Sequence, residues 1–390
     1  MAAMNSSLAD FREEVQRCMR CGFCRALCPT WDFVGWESGS PRGRMQTIKA
    51  LLDGEAQANE YVADRMYKCA LCGYCLWRCP SGVNTTDAIR AVRDHLVKRG
   101  YHPRIIDEIE GRIGGNHNLY GLSEEDRTQW IALTGLDDLV KTGKEAETLF
   151  FPGCVASFSS RAMGVAAATS QILDALGFNW TILGDEEWCC GNPLLLSGKS
   201  GSVKRVAVHN VNVIRRLGAR MVVTSCAGCY RTFTQDYPRI IGNLGFQVYH
   251  VSQVLENMLD QDKLKFSRDL GVTVTYHDPC ELGRHAGVYE SPRRILRAIP
   301  GIKLVEFPNN RFLTRCCGGG GILKATNPEI ALNLAQKKLE EAHRVKAEII
   351  ASSCPSCKLN LSDAMAASED PTKILDITEI VAWAMNLKVV

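Results

Sequence analysis

The sequence predicts a chain of mixed α+β and α/β class, in which a helical module is followed by two duplicated α/β domains. Three observations predict it. The cysteines form two kinds of set, one kind near the N-terminus and a different kind further on. The later kind occurs twice, with Cys280 standing 126 residues after Cys154, Cys316 127 after Cys189 and Cys354 128 after Cys226. From Leu149 onward, short apolar runs alternate with helical stretches, whereas the part before it carries helical periodicity without β-rich runs.

Composition limits the function classes. A chain of 390 residues has room for two or three domains, and 46% hydrophobic with 23% charged residues excludes wholesale disorder. The net charge of +3 predicts neither a nucleic-acid binder nor a polybasic membrane surface. No apolar run reaches the roughly 18 residues that a membrane span needs. The opening M-A-A-M-N-S-S-L-A-D-F-R-E-E is polar and acidic and has no secretory h-region. The 18 cysteines are therefore expected to bind metal in a reducing compartment. A cytoplasmic protein is predicted, with attachment to the inner face of a membrane through a partner left open.

The first module, residues 1–103, is built around Cys18, Cys21, Cys24 and Cys28 before Pro29, and Cys69, Cys72, Cys75 and Cys79 before Pro80. Each set reads C-x2-C-x2-C-x3-C-P, the bacterial ferredoxin run for [4Fe-4S] clusters, in which three cysteines hold one cluster and the fourth crosses to the other. This predicts one cubane on Cys18, Cys21, Cys24 and Cys79, and a second on Cys69, Cys72, Cys75 and Cys28. Structural zinc is the plainer alternative, but zinc knuckles pair two C-x2-C units across a gap. Between the runs, Ser40 suits an N-cap and Pro41 the first helical position, with Met45, Ile48 and Leu52 at helical spacing. After the second run, Thr85 or Thr86 is expected to cap a helix carrying Ile89, Val92 and Leu96 and stopped by Gly100. Residues 104–147, with G-G-N-H-N-L-Y-G, read as a connector holding one short helix after Ser123.

The two duplicated domains are predicted over 148–270 and 271–390. T-L-F-F-P-G-C matches V-T-V-T-Y-H-D-P-C, W-C-C-G matches R-C-C-G, and M-V-V-T-S-C-A-G-C matches I-I-A-S-S-C-P-S-C. Segments 161–176, 201–217 and 327–343 read as helices. Such alternation predicts α/β units with the cysteines at loop ends beyond the strands, facing one cleft. Each half carries five cysteines, two of them adjacent. A cubane takes four thiolates, so the fifth and the vicinal pair suggest a cluster of altered shape. A vicinal disulfide is the alternative. Both sets are complete, and no cysteine is left as a free nucleophile.

With these motifs, and with S-P-R-G-R at 40–44, H-D-P-C-E-L-G-R-H at 277–285 and C-C-G-G-G-G at 316–321, the chain resembles the HdrD subunits of heterodisulfide reductase and related iron-sulfur oxidoreductases with CCG domains. The resemblance implies that Cys154, Cys189, Cys190, Cys226 and Cys229 hold one non-cubane [4Fe-4S] cluster, and Cys280, Cys316, Cys317, Cys354 and Cys357 the other. It also implies that the pair faces a disulfide substrate, in methanogens the mixed disulfide of coenzyme M and coenzyme B. Chemistry agrees: cleaving a disulfide takes two electrons and liberates two thiolates, which suits two one-electron centres fed by the cubanes. No G-x-G-x-x-G lies between a strand and a helix, and Gly318–Gly321 lacks the Lys-Ser/Thr of a P-loop. Electrons are therefore expected from a partner subunit, a cytochrome b-type membrane protein or a flavoprotein, in a hetero-oligomer. The competing reading is the iron-sulfur subunit of a glycolate or lactate oxidase, which relays electrons without chemistry of its own. A third makes the substrate a protein-borne disulfide or trisulfide.

Among other residues, His277 and His285 flank Cys280, and His285 is the candidate general acid for the product thiolates. Asp278 is read as a turn cap, and Arg284 and Lys358 as partners for substrate anions. Trp31, Trp36, Trp77 and Trp188 are expected to shield the clusters. The glycine run is read as letting backbone approach a cluster.

Overall fold

The computed structural model describes residues 7–26 and 28–388. The first six residues of the polar opening lie outside the described residues. Among the described residues no helix is long and apolar enough to cross a membrane.

The N-terminal module is helical. Helix Pro41–Asp53 starts as its sequence requires: Ser40 Oγ accepts the Gly43 N–H at 2.9 Å, and Pro41 fills the first turn. Met45 and Ile48 turn inward against Val62 and Met66 of helix Glu60–Tyr67 and Ile89 and Val92 of helix Thr85–Val97. The cap of this last helix is Asn84, whose Oδ1 accepts the Asp87 N–H at 3.2 Å, and not Thr85 or Thr86. The reason is local: Thr85 already lies in the helix, and its hydroxyl pairs with Cys75 Sγ at 2.8 Å.

Residues 104–147 hold more structure than a connector. The expected helix after Ser123 begins as a 3-10 turn over Glu124–Thr128 and continues as Gln129–Thr134. A further helix, Ile105–Gly115, precedes it. Its Gly114–Gly115 end masks the signal, yet Ile106, Ile109 and Ile113 give it one buried face.

Each later half has its own four-stranded, wholly parallel sheet. The first contains β1 (Thr148–Phe150), β2 (Trp180–Thr181), β3 (Met221–Thr224) and β4 (Gln247–His250) in the order β2-β1-β3-β4. The second contains β5 (Val272–His277), β6 (Ile302–Val305), β7 (Ile349–Ser352) and β8 (Lys373–Asp376) in the order β6-β5-β7-β8. The topologies are the same, as the duplication predicts. The helices expected from periodicity span Met163–Ala175, Val203–Arg216 and Pro328–Arg344.

The halves pack reciprocally. Helix Met163–Ala175 of the first half lies on Ile377–Ala384, the last helix of the second. Their counterparts, Val251–Asp260 and Glu290–Ala298, lie on each other in the same way. One apolar core carries Val223 and Val251 from the first half and Val274, Ile349 and Ile377 from the second. Equivalent surfaces meeting in this manner describe a pseudo-twofold interface within one chain.

Candidate metal centres

The structure brings the cysteines of the N-terminal module together across the two runs. Cys18, Cys21, Cys24 and Cys79 line one cavity, which Cys75 also touches. Cys28, Cys69, Cys72 and Cys75 line a second. Cys21 is exposed, whereas all four cysteines of the second set are buried. The S-P-R-G-R segment holds both loops in place. Arg42 donates to the Arg20 carbonyl between Cys18 and Cys21, and Arg44 donates to the Lys68 carbonyl that precedes Cys69. Gly43 is needed because a Cβ there would stand 1.8 Å from the Glu37 carbonyl oxygen.

The ten later cysteines are all buried. In the first half, hydrogen-bonding sulfur contacts run from Cys154 to Cys189, then to Cys190, Cys229 and Cys226. In the second they run from Cys280 to Cys316, Cys317, Cys357 and Cys354. Two junctions join these series to each other and to the N-terminal module: Cys226 meets Cys354 across the halves, and Cys72 meets Cys316. The C-C-G motif has a geometric cause. Gly191 and Gly318 both sit at positive φ, +83° and +87°, which aims their N–H groups back at Cys189 Sγ (3.5 Å) and Cys316 Sγ (3.4 Å).

These donor sets fit iron-sulfur clusters. None of the 18 cysteines is in a disulfide. Cys154, Cys229, Cys316 and Cys357 are held well above the ordinary thiol range, first by hydrogen bonds to neighbouring sulfurs and then by burial. Cys190 and Cys72 are pulled down to about 6 because Cys189 and Cys316 stabilise their thiolates. Buried sulfurs so close together ionise collectively only around positive charge, which iron supplies.

The charged residues of the H-D-P-C-E-L-G-R-H segment are committed to contacts within the protein. Asp278 takes a bidentate bond from Arg293 at 2.6 and 2.9 Å and accepts the Arg311 N–H at 2.7 Å. Glu281 pairs with Arg231 of the first half at 2.8 Å. Arg284, expected to meet a substrate anion, is instead buried in the seam with the N-terminal module, where it donates to the carbonyls of Cys72, Phe312 and Thr314. Lys358 is likewise committed, to a buried ion pair with Glu379 at 2.5 Å. His285 lies in the same seam as Arg284. Its Nε2 is 2.9 Å from the Leu71 carbonyl, and burial lowers its pKa to about 4, so the ring is neutral at neutral pH.

Other expectations need correction. Trp36 and Trp77 are 68% and 54% exposed and shield nothing. Trp188, by contrast, packs against the core that holds Cys154 and Cys189, as expected, and is stacked between His117 and His209 with centroids 3.7 and 3.6 Å away. The glycine run serves two contacts: the Gly318 N–H points at Cys316 Sγ as expected, and a Cβ on Gly318, Gly319 or Gly321 would also stand 2.5 Å or less from a protein carbonyl oxygen.

Sequence reasoning missed three groups. Arg93 is fully buried and donates to the carbonyls of Met66, Cys69, Leu196 and Gly321, which binds the N-terminal module to both halves at once. Its only signal is an arginine on an otherwise apolar helix face. Glu187, beside the W-C-C-G segment, accepts the Gly153 N–H at 3.1 Å and pairs with Arg127 at 2.9 Å, and burial pushes its pKa up to about 8. His250 lies on the interface between the halves, its Nε2 3.2 Å from the Ser225 carbonyl and 3.1 Å from that of Ser353. Those serines precede Cys226 and Cys354.

A helical dicluster module docked on two cysteine-rich α/β domains defines an iron-sulfur oxidoreductase. Family models agree: a "4Fe-4S dicluster domain" matches residues 14–83, and a "Cysteine-rich domain" matches 148–234 and again 274–362. The HdrD subunit of the dihydromethanophenazine:CoB--CoM heterodisulfide reductase of Methanosarcina acetivorans is 37% identical, over 96% of this chain and 95% of its own. The chain belongs to the HdrD family of heterodisulfide reductase subunits. The EtfAB:quinone oxidoreductase of Syntrophomonas wolfei is 28% identical, over 96% of this chain and 58% of its own. A hypothetical protein from Helicobacter pylori shares the fold, with a TM-score of 0.62 at 8% identity, over 90% of this chain and 68% of that one.

Proposed function

We propose that this chain is the disulfide-reducing subunit of a multi-subunit reductase. In this reading Cys18, Cys21, Cys24 and Cys79 hold one cubane, Cys69, Cys72, Cys75 and Cys28 a second, and each five-cysteine set a non-cubane [4Fe-4S] cluster. The cubanes supply single-electron transfer, and the non-cubane pair supplies reductive cleavage of a disulfide to two thiols.

One observation carries the reading. Buried sulfur contacts run without a break from Cys72 to Cys316, on to Cys354, across to Cys226, and through to Cys154. The chain thus arranges its own ligands as one redox unit with two pseudo-equivalent sites at a shared interface, which suits a substrate with its own near-twofold S–S unit. Its other residues hold that unit rigid: His250 clamps the two C-x2-C loops to each other, and His285 and Arg284 fix the Leu71–Cys72 backbone against the second site.

The electron donor is a partner subunit, of cytochrome b or flavoprotein type, that docks where the N-terminal module is open. There Cys21 is exposed between Met19 and Phe23, themselves 74% and 57% exposed. A membrane-bound donor holds the chain at the inner face of the membrane. The substrate is a disulfide of the coenzyme M and coenzyme B kind, given the names of the Methanosarcina relatives.

Low-temperature EPR of anaerobically purified protein, oxidised with and without candidate thiols, tests the assignment. A thiol-dependent paramagnetic signal is expected. Its absence with every thiol tried, alongside normal cubane signals, replaces this reading with an electron relay like that of a glycolate or lactate oxidase subunit.

A further inference from the structure

Among the buried differences between the two cysteine-rich sites, one sets a hydrogen-bonding ring in the second against an apolar ring in the first. His277 closes β5 and is 1% exposed. One of its ring nitrogens lies with Cys317 Sγ and Cys357 Sγ in a group whose atoms are all within 4.8 Å of one another. The ring is a hydrogen-bond partner of Cys317. Its Nδ1 is buried with no partner. In the first half the matching residue, 126 positions earlier, is Phe151. Phe151 packs edge-on against Phe233 at 5.0 Å and has no proton to donate.

We propose that His277 donates a hydrogen bond to the sulfur of Cys317 in the filled second site, and that this makes the second cysteine-rich cluster easier to reduce than the first. The inference rests on the reading that both five-cysteine sets hold clusters. A hydrogen bond to a ligand sulfur withdraws negative charge and so favours the form that carries an extra electron. Phe151 gives the first site no such relief. The favoured site is also the one that a cysteine of the N-terminal module reaches, Cys72 meeting Cys316. His277 acts through Cys317 and is a positioning residue.

The test is an EPR-monitored redox titration of the full-length, anaerobically loaded protein, with iron content measured on the same samples. Wild type is expected to show two separate midpoints for the cysteine-rich clusters. His277→Phe, which copies the first half, should lower one midpoint, leave the other in place and keep the iron. His277→Gln, which retains an N–H donor, should stay near wild type. ENDOR should show an exchangeable proton coupled to the cluster in wild type and in His277→Gln, and none in His277→Phe.

An unchanged gap between the midpoints in His277→Phe at full iron content overturns the proposal. So does a strong nitrogen coupling from 15N-labelled histidine, which would make His277 an iron ligand. If His277→Phe loses iron, His277→Gln decides: a retained proton coupling supports the proposal, and its loss at full iron content overturns it. Failure of the underlying reading looks different, since wild type would then carry about half the expected iron and no cysteine-rich signals at all.

Discussion

A Cβ on Gly321 would stand 2.1 Å from the carbonyl oxygen of Ala70. The last glycine of C-C-G-G-G-G thus lies directly against the backbone between Cys69 and Cys72, at φ +64°. Gly321→Ala combines a backbone clash with left-handed strain, worth about 1–3 kcal/mol for the strain alone. It is expected to lower the unfolding temperature and loosen the N-terminal module, read by differential scanning and limited proteolysis. Gly320→Ala, which meets open space, should behave as wild type.

Arg93 is the other fastening of that seam, with five hydrogen bonds to four carbonyl oxygens. Arg93→Met keeps most of the volume and leaves those acceptors buried and unpaired. A loss of at least about 3 kcal/mol is expected, since each unsatisfied buried group costs roughly 1–3 kcal/mol. Chemical denaturation checks it. A variant as stable as wild type would mean the seam is held elsewhere.

Asp376 caps the final helix with Oδ1 on the Thr378 N–H at 3.0 Å, while its Oδ2 is buried without a partner. Burial raises its pKa from 3.8 to about 8. Between these values the folded chain keeps a proton that the unfolded chain has released, so stability falls as pH rises through the window and levels off above it. Asp376→Asn keeps the cap and removes the titration. Thermal unfolding from pH 6 to 8.5 should show a shallower decline in the variant, which should melt above wild type at pH 8.5. Parallel curves would contradict the assignment.

Iron analysis should give about sixteen irons per chain, four for each of four clusters, with little zinc. A value near eight would mean that the cysteine-rich sites are empty, and stoichiometric zinc would restore the structural-zinc alternative.

Division of labour between the cysteine sets is separable by donor. Cys24→Ala should stop turnover driven by the natural partner and spare turnover with a small artificial donor. Cys317→Ala and Cys190→Ala should each abolish turnover with either donor, because one substrate needs both halves. About half the wild-type rate in Cys190→Ala would show that the second site works alone.

Much of this was legible in the sequence because ligand spacing, repeat offset and helical periodicity are local signals. The crossed cysteine sets followed from C-x2-C-x2-C-x3-C-P, the two matching sheets from the 126- to 128-residue offsets, and the Ser40–Pro41 helix start from capping chemistry. Contacts between residues far apart in the chain carry no such signature. Arg284 looks like an anion binder until the fold buries it against Cys72, and Trp36 looks like a shield until the fold leaves it in solvent. Which sulfurs are available to hold iron is written in the order of residues alone. Packing alone settles that Cys226 faces Cys354, that Cys72 reaches Cys316, and that His277 lies beside Cys317, because each depends on how separately folded segments meet.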